Sequence, residues 1–164
     1  MKRLAIAVSM LAIGVAGCGG STPTNPSTFQ VFTVQISPAN EVPPVGNAEN
    51  TGRGTAVITI HSDTNTVDFS INLNGFPANT TMTAAHIHPG AAGANGGAQI
   101  GVPGISGLVL TNGSGTFVAN GVAAANDAAT AATRIQAILA APQNFYFNVH
   151  TTVNGGGVAR GQLQ

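Results

Sequence analysis

TVDFSINL, residues 66–73, alternates without a break: Val67, Phe69, Ile71 and Leu73 are apolar, and Thr66, Asp68, Ser70 and Asn72 are polar. A period of two puts every second side chain on one face, so the stretch reads as a strand with one buried and one wet face. SDTN (62–65) supplies turn residues just before it, and GTAVITIH (54–61) precedes that turn, so the two runs form a hairpin. The pattern extends outward in both directions. FQVFTVQI (29–36) reads as a strand, as does the stretch from about 81 to 88. Shorter strands are expected at 106–110 and 114–119, around the turn Thr111-Asn112-Gly113. NFYFNVHT (144–151) and VARGQL (158–163) close the chain around Gly155-Gly156-Gly157. About eight short strands with turn signals between them predict an all-β domain, a Greek-key sandwich or barrel.

One segment breaks the period. DAATAATRIQAILA (127–140) is alanine-rich, with Asn126 or Asp127 as N-cap and Pro142 just beyond its end. Ile135, Ile138 and Leu139 recur at helical spacing, which predicts one short helix laid over an open end or edge of the sheets.

The amino terminus carries an address. In residues 1–17, MKRLAIAVSMLAIGVAG, Lys2 and Arg3 precede an apolar run. That run is shorter than the roughly 20 residues a membrane span needs, and it suits a secretory signal. Val15-Ala16-Gly17-Cys18 resembles the bacterial lipobox, in which cleavage leaves the cysteine to carry acyl chains. Cys18 is the only cysteine, so no internal disulfide can form. Residues 18–28, rich in Gly, Ser, Thr and Pro, read as a flexible tether, and 29–164 as the folded domain. The expected location is the bacterial cell envelope, lipid-anchored and facing the periplasm or the exterior, with the membrane as first partner.

After residue 17, three arginines (Arg53, Arg134, Arg160) face five acids (Glu41, Glu49, Asp63, Asp68, Asp127), for a net charge of −2 with histidines neutral. No basic patch exists, which excludes nucleic acid as a partner.

AAHIHPGAAGANGG (84–97) holds the most suggestive chemistry. His86 and His88 lie two apart on a strand and share a face, so both imidazoles can reach one ion. In the last long strand His150 falls with Tyr146 and Asn148 on the face opposite Phe145, Phe147 and Val149, which offers a third ligand. A hairpin centred on Gly155-Gly156 would set His150 near Arg160 and Asn148 near Gln162, and an arginine there opposes a cation. The competing reading is histidines hydrogen-bonded to carbonyls at a sheet end, without metal. If a metal binds, neutral imidazoles favour copper or zinc over calcium or magnesium, with binding weakening below about pH 6.5. His61 ends a strand at a turn and reads as an ordinary exposed residue. The glycines after His88 do not lie between a strand and a helix, and no Lys-Ser/Thr follows, so a phosphate loop is excluded. No Gly-x-Ser-x-Gly elbow occurs, and the sequence identifies no reaction.

NEVPPV (40–45), GRGTAVITI (52–60), AHIHPGAAGANGG (85–97) and FNVHTTVNGGGVARGQL (147–163) occur in an order that resembles the CHRD domain, a module named for chordin and found in bacterial secreted proteins. The resemblance runs from about residue 30 to residue 163. It implies an extracellular β-sandwich-like module with no established catalytic activity. The family pattern carries an acid before Ile-Arg-Gly near its end, where this chain has Val158 and Ala159 before Arg160. The strand-borne His-x-His is also similar to that of copper-zinc superoxide dismutases. Four histidines and no second cysteine leave that chemistry without its further ligands and disulfide. The resulting expectation is an anchored binding or structural module whose partner is a cell-surface protein or glycan. The alternative is a mononuclear copper or zinc protein using His86, His88 and His150. Glu41, before the stiff Pro43-Pro44 pair, and Arg160 are expected to brace the fold through strand-end carbonyls or each other.

Overall fold

The structure, a computed structural model, describes residues 28–164. The signal peptide, Cys18 and nearly all of the tether expected at 18–28 lie outside the described residues.

Among the described residues, nine strands form two antiparallel sheets. In the first, β1 (Phe29–Ile36), β2 (Arg53–His61), β3 (Thr66–Asn74) and β7 (Gly115–Ala123) stand in the order β1-β2-β3-β7. The second runs β5-β4-β8-β9, from β5 (Ile100–Gly101), β4 (Thr80–Pro89), β8 (Phe145–Thr151) and β9 (Ala159–Gln162), with β6 (Val109–Leu110) also paired to β4. The two sheets pack as a sandwich and do not close into a barrel.

Alternation explains the first sheet. Val67, Phe69, Ile71 and Leu73 are all buried, on the same face as Phe32, Val34 and Ile36 of β1 and Ala56, Ile58 and Ile60 of β2. From the second sheet Met82, Ala85, Ile87, Phe147 and Val149 meet them. Phe69 and Phe147 touch across the core, ring centroids 5.9 Å apart. Burying each such ring contributes roughly 1.5–3 kcal/mol. The helix α1 (Ala128–Ala140) adds Ala131, Ile135 and Ile138 to this core, with Asp127 as its N-cap accepting from the Thr130 amide at 2.8 Å.

Some expected boundaries change. The run 106–110 pairs in regular register only at Val109–Leu110, because Met82 bonds to two successive residues, accepting from the Gly107 amide and donating to the Leu108 carbonyl, while the Leu108 amide turns back to Ile105. Ile100–Gly101 pairs with β4 although its glycine-rich surroundings carry no strand pattern. β7 continues to Ala123 past a register shift, where the Asp68 carboxylate accepts from the Gly121 amide at 2.7 Å.

The sheets meet at one corner. Ser37 and Arg160 exchange backbone hydrogen bonds of 3.1 and 3.2 Å, joining the end of β1 to β9. A Cβ on Gly161 would fall 2.2 Å from the Gln35 carbonyl oxygen, so only glycine permits this approach.

Candidate metal centre

Alternation in β8 would leave Tyr146, Asn148 and His150 in solvent, yet every residue of that strand is buried. The segment 38–51, the loop 90–97 and the turn 152–157 cover the outer face of the second sheet. The result is a buried polar layer beside the apolar core.

Register assembles the site. β4 and β8 pair His86 with Asn148, His88 with Tyr146 and Ala84 with His150, so His150 lies diagonal to His86 on the same face. Ring centroids are 5.0 Å apart for His86 and His150, 5.4 Å for His86 and His88, and 6.1 Å for His88 and His150. One nitrogen from each ring lies within 4.8 Å of the others, the one group of its kind among the described residues. His61 is elsewhere, bonded to Asp68 at 2.9 Å on the surface.

Backbone carbonyls orient two of the rings. His88 Nδ1 donates to the Gly96 carbonyl at 2.9 Å, and His150 Nδ1 donates to the Gly155 carbonyl at 3.0 Å. Each bond leaves the Nε2 lone pair facing the cluster. His150 Nε2 meets His86 Nδ1 at 3.1 Å, whereas His88 Nε2 is buried with no partner. The carbonyl bonds expected of sheet-end histidines are thus present, and they act as the orienting bonds that metal-binding imidazoles use.

Burial disfavours the charged form of His86 and His150. It lowers His86 from 6.5 to about 4, helped by repulsion from His150 and His88, and it lowers His150 despite the opposing bond to Gly155. Protons therefore compete for these two rings at lower pH than the 6.5 expected of free imidazoles.

Strand register differs from expectation at Arg160. It pairs with Asn148, and Gln162 pairs with Tyr146, two residues out of step with a hairpin centred on Gly155-Gly156. The cause is the turn: Asn154 accepts from the Thr151 and Gly157 amides, and Gly157 returns with φ +134°, so the hairpin closes nearer to β8. Arg160 is 1% exposed and lies over the Tyr146 ring at 4.5 Å, while His88 stacks on that ring from β4. Tyr146 thus separates the guanidinium from the triad. Arg160 Nε donates to the Asn40 carbonyl at 2.6 Å, and Nη1 donates to Ala94 O at 3.2 Å and Asn95 Oδ1 at 2.8 Å. One guanidinium therefore ties the 38–41 segment to the 90–97 loop.

Glu41 makes no ion pair with Arg160. It is 7% exposed and bonds to the Asn148 side chain; burial raises it to about 7, against the pull of Arg160 and of Asn148. Glu49 went unnoticed in the sequence. It is buried and accepts from Thr151 Oγ1 at 2.6 Å and from the Asn154 side chain, so it clamps the turn whose Gly155 carbonyl orients His150. Its signal was scarcity: with 6% charged residues, each carboxylate is a candidate for a specific task.

Zinc or copper bound at about 2.0–2.1 Å brings its nitrogens roughly 3.3 Å apart in a tetrahedron, a small closing of the rings from their present spacing. Of five buried polar side-chain atoms without partners among the described residues, four lie in this layer: Glu41 Oε1, His88 Nε2, Asn148 Oδ1 and Arg160 Nη2. Such atoms are costly where they serve nothing. An ion on the triad would take up the His88 lone pair, so the donor set fits a single borderline metal.

No curated protein and no solved structure is similar enough to count as a match. The model of the CHRD domain matches residues 32–163, from the first core residue of β1 to Leu163 beyond β9. That span contains both sheets, the polar layer and all three site histidines, and by it the chain belongs to the CHRD domain family.

Proposed function

We propose that this CHRD domain is an envelope-exposed binding module, anchored through Cys18, whose ligand is one copper or zinc ion held by His86, His88 and His150. One observation carries the reading: a buried His88 Nε2 without any partner, set among two further imidazole nitrogens within 4.8 Å. A neutral three-nitrogen set with carbonyls behind it suits copper or zinc and offers no oxygen cluster for calcium or magnesium. A cell-surface protein or glycan partner would then meet a metal-bearing module on the outside of the membrane.

Metal analysis of residues 29–164, purified without a histidine tag, tests the site. The expected result is one copper or zinc per chain, lost in the His86→Ala, His88→Ala double variant. A domain that takes up neither metal, and whose melting temperature is unmoved by both, would overturn the metal reading. The anchor is tested separately. Cys18→Ser should move the protein from the membrane fraction to the soluble one, since stable attachment needs more than one acyl chain. A serine variant that still sediments with membranes would refute lipidation.

A further inference from the structure

The three imidazoles are not held alike. His88 is bonded to Gly96 and stacked on Tyr146 at 4.9 Å with planes 4° apart, and the Gly96 amide donates to the Tyr146 hydroxyl at 3.3 Å. His150 is bonded to Gly155 in the turn that Glu49 clamps. Both residues are 7% exposed. His86 is half-buried, and its one hydrogen bond is to His150, a member of the triad itself.

The surface beside His86 is also open. A cleft of about 300 Å³ borders it, lined by Ala84, Gly101, Pro103, Gly104 and Ser106 among others. Gly101 pairs with His86 across β4 and β5, and a Cβ there would stand 3.4 Å from His86 Cδ2 and 3.9 Å from Nε2. No side chain of residue 101 covers that edge of the ring, so His86 can swing outward. His88 and His150 cannot move without breaking carbonyl bonds and displacing the loop or turn above them.

Resting on the metal reading above, we infer that His86 is the exchangeable ligand of the triad, and that the ion accepts a small Lewis base from solvent, such as imidazole or azide, on the His86 side. His88 and His150 form the fixed pair. The ion enters and leaves where His86 yields.

Chemical rescue of the full-length protein in detergent tests this with copper(II) as the probe. His86→Ala should lose copper and regain it in millimolar imidazole, with the spin-resonance signature of a three-nitrogen site and affinity restored by about tenfold or more. His150→Ala and His88→Ala should gain nothing, because neither leaves a cavity open to solvent. Because these two variants could misfold, a second measurement uses the intact triad. Azide added to the copper-loaded wild type should produce a ligand-to-metal absorption band. Gly101→Val should keep the copper and weaken azide about tenfold by covering the His86 edge. Failure of imidazole to rescue His86→Ala, equal rescue of all three variants, or a copper site that ignores azide would each overturn the inference. A wild type that binds no copper or zinc would instead overturn the metal reading on which it rests.

Discussion

His88 and Tyr146 lie face to face, their centroids 4.9 Å apart and planes within 4°, and Gly96 bonds to both: its carbonyl to His88 Nδ1 and its amide to the tyrosine hydroxyl. The ring therefore supports the imidazole by stacking and by holding its hydrogen-bond partner. Tyr146→Phe keeps the stack and removes one acceptor, a loss of about 1 kcal/mol in urea denaturation. Tyr146→Ala removes the ring as well and should cost about 3–5 kcal/mol and weaken metal binding. Equal effects of the two variants would show that the stack contributes nothing.

Arg160 is a guanidinium with few substitutes. Its three bonds reach Asn40, Ala94 and Asn95, and Asn95 Nδ2 in turn donates to the Val42 carbonyl at 2.9 Å. Lysine keeps the charge, but a single ammonium cannot span both segments. Arg160→Lys should destabilise by roughly 3 kcal/mol, by analogy with breaking one side of a buried charged network. Proteolysis should then cut first in 90–97, the segment that Arg160 ties down. A lysine variant with wild-type stability would refute the bracing role.

Glu41 sets a pH dependence of unusual sign for a carboxylate. Its native value, raised from 4.5 to about 7, means that the folded protein holds the proton through a window in which the unfolded chain has released it. Stability therefore falls as pH rises through that window, by about 3 kcal/mol in all at 1.36 kcal/mol per unit. His86 works in the opposite direction. With a native value lowered from 6.5 to about 4, its contribution is full above 6.5 and is lost as pH falls toward 4. Glu41→Gln should remove the first limb and leave the second. For metal-free protein the variant's advantage over wild type should then grow with pH and level off above 7. Urea midpoints measured from about pH 5 to pH 8 decide it: a difference that stays constant across that range refutes the assignment.

The sandwich was legible because sheet faces are periodic. Phe69 and Ile71 alternate with polar residues, and no other element could bury them. The His86–His88 pair was legible for the same reason, since residues two apart on a strand share a face whatever the sheet order. Alternation also set the face of His150, and the β4–β8 pairing brings it to them. What alternation cannot encode is the cover over that face. Tyr146, Asn148 and His150 read as the wet side of β8, and their burial depends on loops 38–51 and 90–97, whose placement follows from tertiary bonds to Arg160 and Glu49. The Arg160 register was missed because a glycine-rich turn can close at several positions. Asn154 chooses among them by accepting from both Thr151 and Gly157.

The glycines after His88 allow the sharpest comparison, because two neighbours differ in what surrounds them. A Cβ on Gly96 would lie 1.8 Å from the Pro89 carbonyl oxygen, while one on Gly97 meets nothing within 4 Å. Pro89 directly follows His88, so relieving the first clash must move either the end of β4 or the Gly96 carbonyl that orients the His88 ring. Either movement turns Nε2 away from the cluster. Gly96→Ala should lower copper or zinc affinity by about 10–100-fold, the usual cost of losing an outer hydrogen bond to a ligating histidine. Gly97→Ala shares the loop and the chemistry of the change but not the clash, so its affinity and stability should match wild type. Isothermal titration with each metal, alongside urea denaturation, separates the two. If both alanines bind metal as wild type does, the loop does not orient His88. If both weaken it equally, general loop flexibility, and not the Gly96 carbonyl, sets the affinity.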